Sequence, residues 1–170
     1  MEIERTTIDG LLIIKPKVFP DKRGYFFEAY NEKKLKELGF EQHFVQDNIS
    51  KSSKHVLRGL HFQNPPHAQG KLVQVIRGAV LDIAVDIRKE SPTYGKHFAI
   101  ELSERNNLIF FIPPGFAHGF LTLEDNTIFS YKCTALYNKD AEGAIQWNDK
   151  DLAIDWKIKD EDAIISSKDK

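Results

Sequence analysis

The sequence predicts an all-β protein, a jelly roll with one short helix near its N-terminus. Many short segments have the pattern of a strand, and residues 81–87 (LDIAVDI) place aliphatic side chains on one face and two aspartates on the other. Turn residues such as Gly78, 91–92 (SP) and 113–115 (PPG) separate these segments. Short strands at close spacing are typical of sandwiches and barrels. The predicted strands are residues 11–14, 56–63, 71–77, 81–87, 97–102, 107–112, 120–123 and 127–134.

The helix signal lies in residues 31–39 (NEKKLKELG). Asn31 can cap the first turn, and Leu35 and Leu38 are spaced to share one face. Gly39 can end the helix, because glycine readily adopts the left-handed conformation that follows a last turn.

Composition and charge are those of an ordinary globular protein, and we expect one domain over residues 1–170. The formal net charge of -1 gives no electrostatic support to a nucleic-acid or membrane partner, so neither is expected. The single cysteine, Cys133, cannot form an internal disulfide and suits a reducing compartment. The N-terminus lacks the apolar core of a signal peptide, and no apolar run is long enough to cross a bilayer, so we expect a cytoplasmic protein.

Five polar side chains interrupt otherwise apolar strands or their ends: Arg58, His61, Lys71, His118 and Tyr131. Each alone has an ordinary structural explanation, such as a satisfied histidine, an edge-strand charge or a core tyrosine. Together they are more informative, because buried ionisable groups cost free energy unless they are paired and they cluster where function retains them. Small jelly rolls have an open mouth, so we expect these residues to face a ligand cavity.

The same residues do not have the pattern of a metal site. Metal-binding jelly rolls often use two histidines one residue apart, a glutamate shortly after them and a third histidine on a later strand. Here His61 is followed by Phe62 and Gln63, and the next glutamate is Glu90. His118 then remains the only other ligand, which is too few for a transition metal. We therefore predict a cavity without a metal ion.

At these positions the sequence resembles the dTDP-4-dehydrorhamnose 3,5-epimerase family. The similarity follows family order over nearly the whole chain and ends in the tail 166–169 (SSKD). The matching segments are residues 21–28 (DKRGYFFE), 46–50 (QDNIS), 58–63 (RGLHFQ), 69–73 (QGKLV), 86–88 (DIR), 91–95 (SPTYG), 113–120 (PPGFAHGF), 131–134 (YKCT) and 147–149 (WND).

The resemblance implies a cupin-type jelly roll, or double-stranded β-helix, with a short N-terminal helix and short C-terminal helical segments. It also implies a homodimer with exchanged N-terminal strands and no cofactor. The expected reaction is epimerisation at C3 and C5 of dTDP-4-dehydro-6-deoxy-D-glucose to dTDP-4-dehydro-L-rhamnose, a step of dTDP-rhamnose biosynthesis.

The chemistry of this reaction requires three groups. Carbons C3 and C5 both flank the C4 ketone, so removing either proton leaves an enolate with its charge on the C4 oxygen. His61 is the expected base, since its ordinary pKa lies near working pH. Tyr131 is the expected acid on the opposite ring face, and Lys71 is expected to stabilise the oxyanion.

A carboxylate is expected to orient His61 and to stabilise its imidazolium. The family resemblance favours Asp169 for this role. Asp82 and Asp86, which share one face of a predicted strand, are the alternatives.

The nucleotide requires other residues. Arg23 and Arg58 can offer bidentate donors to the diphosphate, although Arg58 could instead lie nearer the sugar. Tyr137 is expected to stack on thymine, and in the family some N-terminal contacts reach the partner's cavity. The remaining expected substrate contacts are Phe26, Glu28, Gln46, Asp47, Asn48, Lys71, His118, Glu142 and Lys168.

Three alternatives remain open from the sequence. A related enzyme could epimerise only C3 or only C5, or isomerise the ketone. A non-catalytic cupin could bind a sugar nucleotide without turning it over. A metal-dependent oxygenase is the third alternative, which the incomplete ligand pattern disfavours.

Overall fold

A computed structural model describes residues 1–169 and confirms the all-β fold. All eight predicted strands are present, with ends shifted by a few residues. The strands are β1 (Glu2–Arg5), β2 (Leu12–Lys15), β3 (Phe19–Asp21), β4 (Gly24–Phe26), β5 (Gln46–Ser52), β6 (Val56–Gln63), β7 (Lys71–Arg77), β8 (Ala79–Asp86), β9 (His97–Ser103), β10 (Ile109–Ile112), β11 (Phe116–Thr122), β12 (Thr127–Cys133), β13 (Glu142–Ala144) and β14 (Ile164–Ile165).

Two large sheets form the jelly roll. The first has the order β1-β2-β10-β7-β12-β5, and the second has the order β13-β6-β11-β8-β9 with β14 parallel to β6. The main core lies between the sheets, where Val73, Phe110 and Phe129 of the first sheet meet Val80 and Phe120 of the second. The cupin-type jelly roll predicted from the sequence is therefore confirmed.

The helix α1 (Glu32–Glu37) packs on the outer face of the first sheet. The Asn31 side chain caps it by accepting a hydrogen bond from the Lys34 backbone N–H. Leu35 is buried, but Leu38 is exposed, so the predicted shared apolar face is wrong at Leu38. The helix ends before Leu38 can join that face. Among residues 1–169, no helix is long and apolar enough to cross a membrane.

The C-terminal third of the chain covers the outer face of the second sheet. Trp147 and Trp156 pack there against Ile83 and Val85 of β8, and the Trp156 indole donates to the Trp147 carbonyl. Both faces of β8 are consequently buried, which explains why its outer residues are aliphatic. The helical segments in this region are single 3₁₀ turns, Lys139–Ala141 and Asp160–Asp162.

The hairpin β3–β4 stands apart from both sheets. Every residue of its two strands is exposed, including the aromatic rings of Phe19, Tyr25 and Phe26. Exposed aromatic clusters on a short hairpin are typical of a surface that another chain covers.

A β-bulge in β6 decides where its polar side chains point. His118 of β11 pairs with His61, but Phe120 pairs with Arg58. A step of three residues along β6 therefore matches a step of two residues along β11. Strict alternation would send Arg58 and His61 to opposite faces because they are three apart. The extra residue turns both to the same side of the sheet, where they line one cavity.

Gly59 makes this bulge possible. Its φ of +124° lies where side chains are disfavoured, and a Cβ there would lie 2.5 Å from the Gly119 Cα and 2.7 Å from the His118 carbonyl oxygen.

We predict that Gly59→Ala lowers the free energy of unfolding by about 2 kcal/mol or more, because the methyl group adds overpacking to backbone strain. Urea unfolding of the purified variant measures this. Gly24→Ala is a matched control, since Gly24 has a similar φ of +134° but nothing within 4 Å of the added Cβ. Equal losses in the two variants would show that the close packing of Gly59 on β11 is unimportant.

Candidate active site

A cavity of about 470 Å³ opens between the two sheets. Polar and aromatic side chains line it, and they come from β5, β7 and β12 on one wall and from β6 and β11 on the other. The cavity brings together most of the predicted site residues. These are Gln46, Asn48, Arg58, His61, Lys71, His118, Tyr131, Tyr137, Glu142, Lys168 and Asp169.

His61 and Asp169 are in hydrogen-bond contact in the cavity wall. The His61 Nε2 lies 2.5 Å from Asp169 Oδ1, and Ser166 Oγ donates to the other carboxylate oxygen at 3.0 Å. Asp169 is buried although it lies next to the chain end. The strand β14 positions this tail, since Ile164 and Ile165 pair with the start of β6, the strand that carries His61.

The two alternative carboxylates have other partners. Asp82 lies 2.9 Å from His118 Nε2 in the buried floor between the sheets. Asp86 accepts hydrogen bonds from Arg88, Ser91 and Thr93. Among the described residues, Asp169 is thus the carboxylate that contacts His61, and Asp82 and Asp86 are not placed to orient it.

Opposing effects act on the pKa of His61. Burial lowers the pKa by disfavouring the charged ring, whereas Asp169 raises it, and the nearby ammonium groups of Lys168 and Lys71 lower it further. The net pKa lies below the ordinary histidine value. The imidazole is therefore neutral at neutral pH and able to accept a proton, and Asp169 is placed to stabilise a protonated ring.

Tyr131 lies on the wall opposite His61. It is on β12 between Asn48 of β5 and Val73 of β7, and its ring packs near Phe129. Burial raises the pKa of its hydroxyl, with a small opposing effect of Arg58. Tyr131 consequently keeps its proton at neutral pH and can donate it.

Lys71 brings a cation into the interior. Burial lowers the pKa of its ammonium, and the negative charges of Asp82 and Glu142 oppose this shift. Within residues 1–169 no carboxylate forms a direct ion pair with it. An ammonium group without a fixed partner in a cavity is suited to an incoming negative oxygen.

At the mouth of the cavity, hydrogen bonds join three polar side chains. Lys168 Nζ lies 2.5 Å from Glu142 Oε1, and the Tyr137 hydroxyl donates to Glu142 Oε2 at 3.1 Å. Burial opposes ionisation of Glu142, but these hydrogen bonds prevail and lower its pKa. The Tyr137 ring remains half exposed beside the cavity. Elsewhere in the cavity lining, the Arg58 guanidinium donates to Ser52 Oγ.

Four predicted contacts lie outside the cavity of a single chain. Arg23 and Phe26 are on the exposed hairpin, where Arg23 pairs with Asp21. Glu28 bonds Asn31 and Lys34 near the helix start. Asp47 points out of β5 and pairs with Lys132. For these residues, substrate contact stays a prediction.

Sequence reasoning missed one strand and several residues of the cavity. Strand β5 was missed altogether, because its inward side chains, Gln46, Asn48, Ser50 and Ser52, are all polar and give no apolar alternation. The available signal was that every second residue from Gln46 to Ser52 is an uncharged polar residue. The other cavity residues that sequence reasoning missed are Ile49, Phe62, Gln63, Gln69, Gly119, Phe120 and Ser166.

The donor set of the cavity does not resemble a metal site. Among residues 1–169 no three histidine, cysteine or carboxylate side chains converge as ligands. Cys133 is buried below the cavity wall, where its Sγ accepts a weak hydrogen bond from Asn48 and burial raises its pKa.

Comparison of the sequence and the fold with known proteins identifies the family of this chain. The sequence model of the family described as dTDP-4-dehydrorhamnose 3,5-epimerase matches residues 5–170. The chain belongs to this family. The epimerase of Methanothermobacter thermautotrophicus is 53% identical over 167 residues, which cover 98% of this chain and 90% of that protein.

Solved epimerase structures have the same fold. The crystal structure of the dTDP-4-dehydrorhamnose 3,5-epimerase of Elizabethkingia anophelis superposes with a TM-score of 0.94 at 55% identity, covering 99% of this chain and 93% of that one. The dTDP-6-deoxy-D-glucose-3,5-epimerase of Legionella pneumophila, solved in complex with dTDP-4-keto-L-rhamnose, has a TM-score of 0.93 at 48% identity, covering 99% and 89%. Like these relatives, the chain is an epimerase and therefore an isomerase.

We predict that Asp169→Asn lowers the pKa of His61. The substitution removes the negative charge that raises this pKa, while burial and the two lysines continue to lower it. The acid limb of the pH–rate profile should move to lower pH, and the maximal rate should fall by about tenfold or more as the imidazolium loses its partner.

Histidine NMR titration measures this pKa directly. Asp155→Asn is the control, since it removes an exposed carboxylate outside the cavity. An unchanged His61 pKa in Asp169→Asn would contradict the pairing.

Proposed function

We propose that the chain epimerises dTDP-4-dehydro-6-deoxy-D-glucose at C3 and C5 to give dTDP-4-dehydro-L-rhamnose, with His61 as base and Tyr131 as acid. The observation that carries the proposal is their placement on opposite walls of one cavity, on β6 and β12. Epimerisation needs proton removal from one ring face and delivery to the other, and two facing walls offer both directions.

In the first step the neutral His61 imidazole takes the proton of C3 or C5. The electron pair moves into an enolate, and negative charge develops on the C4 oxygen. Asp169 stabilises the resulting imidazolium, and Lys71 stabilises the oxyanion.

In the second step Tyr131 donates its phenolic proton to the same carbon from the opposite face. The raised pKa of Tyr131 holds the proton until the enolate forms. Proton exchange with water then returns both side chains to their starting states, and the cycle repeats at the other carbon.

The nucleotide is bound near the mouth. Arg58 and Lys168 supply positive charge for the diphosphate, and Tyr137 stacks on the thymine ring. Gln46, Asn48, His118 and Glu142 complete the polar contacts of the cavity wall.

The exposed hairpin supports a homodimer. In this arrangement the hairpin of one chain reaches toward the cavity of its partner with Arg23, Phe26 and Glu28. The partner then covers the exposed aromatic rings, and Arg23 adds a positive charge for the diphosphate. We place this one-domain enzyme in the cytoplasm, where a buried free thiol is stable. It uses no metal or cofactor and has no nucleic-acid or membrane partner, so full turnover is expected to survive exhaustive chelation.

We predict that in deuterated water the wild-type enzyme introduces deuterium at both C3 and C5 of the substrate. Proton NMR of dTDP-4-dehydro-6-deoxy-D-glucose follows each position. Exchange at one carbon alone would instead identify a monoepimerase or ketone isomerase. Turnover by His61→Ala at the wild-type rate would remove His61 as base, and no exchange at all would favour a binding protein without catalysis.

We predict that Tyr131→Phe retains proton exchange but loses net inversion by about 100-fold or more, since the first proton can still leave but the opposite face has no acid. The NMR exchange assay is combined with product analysis. Tyr94→Phe, an exposed tyrosine outside the cavity, controls for loss of a hydroxyl. Normal inversion by Tyr131→Phe would assign the acid to another group.

A further inference from the structure

The segment 135–138 connects β12 to the 3₁₀ turn Lys139–Ala141 and has no regular secondary structure. It presents two exposed side chains, Leu136 and Tyr137, beside the cavity. Apart from the Asn138 carbonyl, which accepts from the Ala141 N–H of that turn, its backbone groups have no strand or helix partner within residues 1–169. Other groups must satisfy them if the segment is to hold one conformation.

Three glutamine side chains do this. Gln69 Nε2 donates to the Ala135 carbonyl at 2.7 Å. Gln46 Oε1 accepts from the Tyr137 N–H at 2.9 Å.

The third glutamine, Gln63, binds the segment twice. Its Nε2 donates to the Leu136 carbonyl at 3.3 Å, and its Oε1 accepts from the Asn138 N–H at 2.8 Å. The two contacts flank Tyr137 on either side along the chain. The Nε2 also donates to the His67 carbonyl at 2.6 Å, which joins the segment to the loop between β6 and β7.

Backbone groups therefore take both N–H donors of the Gln63 amide and one hydrogen bond to its oxygen. It lies in the cavity wall but is buried, and its two N–H donors and its carbonyl oxygen already have partners. A bound ligand would therefore find no free N–H donor on it. We therefore expect Gln63 to affect the ligand chiefly through the segment that it holds.

We infer that Gln63 is a positioning residue for nucleotide recognition: it fixes the backbone on both sides of Tyr137 and so presents the aromatic ring as a preformed platform for the base. The inference rests on the proposed function, in which Tyr137 stacks on thymine. A platform that is already ordered loses less conformational entropy when the nucleotide binds. The Tyr137 hydroxyl bond to Glu142 fixes the other end of the side chain.

A glutamate could not replace this glutamine. Its carboxylate could still accept from the Asn138 N–H, but it would face the carbonyl oxygens of His67 and Leu136 with no proton to donate. Gln63→Glu should therefore bind nucleotide increasingly poorly as the pH rises through the titration of the introduced carboxyl group.

The test is calorimetric titration of the full-length protein with dTDP, using Gln63→Met, Tyr137→Ala and the double variant. Gln63→Met and Tyr137→Ala should each weaken dTDP binding by about tenfold, the loss expected when an ordered side chain becomes mobile or is removed. In the double variant the loss should equal that of Tyr137→Ala alone, because Gln63 acts through Tyr137. Fully additive losses would overturn the inference.

A second readout separates positioning from general damage. The rate of C3 and C5 exchange at saturating substrate should stay within about twofold of wild type in Gln63→Met, while KM rises about tenfold. A fall in kcat with unchanged KM would overturn the inference. Gln74→Met is the matched control, since this strand glutamine does not line the cavity and makes no side-chain hydrogen bond within residues 1–169.

Other outcomes are also decisive. If Gln63→Met fails to fold, Gln69→Met tests the same segment through Ala135, and unchanged dTDP binding by it would count against the inference. Tight dTDP binding by Tyr137→Ala would overturn the platform but leave epimerisation intact. A wild-type protein that does not bind dTDP would instead refute the proposed function itself.

Discussion

The site depends on a packing constraint between β6 and β11. The bulge at Gly59 inserts one residue into β6, and only this insertion lets Arg58 and His61, three positions apart, face the same cavity. The bulge in turn requires two strands to approach closely at Gly59 and Gly119, where a Cβ on either would contact the opposite backbone. A regular strand would place one of the two side chains in the outer apolar layer against the tryptophans.

The interior balances a small number of charges. Burial and two lysines lower the pKa of His61, and Asp169 opposes them from a tail that is held to the start of β6. Lys71 has no ion-pair partner among the described residues, whereas Glu142 at the mouth is paired with Lys168. In the proposed mechanism, His61 is a neutral base, Tyr131 is a protonated acid, and Lys71 stabilises the negative charge that the substrate develops.

Much of this fold follows from apolar pattern, and what does not has a physical reason. The aliphatic strands were predicted, but β5 was not, because its inward face is polar. The start of β11 was placed late, since His118 and Gly119 interrupt its apolar run. The contact of His61 with Asp169 joins residues 108 positions apart, and no local pattern predicts it; the family resemblance alone favoured Asp169 over Asp82. The glutamine contacts to segment 135–138 likewise depend on three distant elements.

The central claim is that base and acid act on opposite faces of one sugar ring. A crystal structure of this protein with dTDP-6-deoxy-D-glucose, which lacks the ketone and cannot be turned over, tests it most directly. The account predicts that the ring lies between the His61 imidazole and the Tyr131 hydroxyl, with C3 or C5 about 3.5 Å from the base on one face and the acid on the other. A sugar bound outside the cavity, or both side chains on the same ring face, would contradict it.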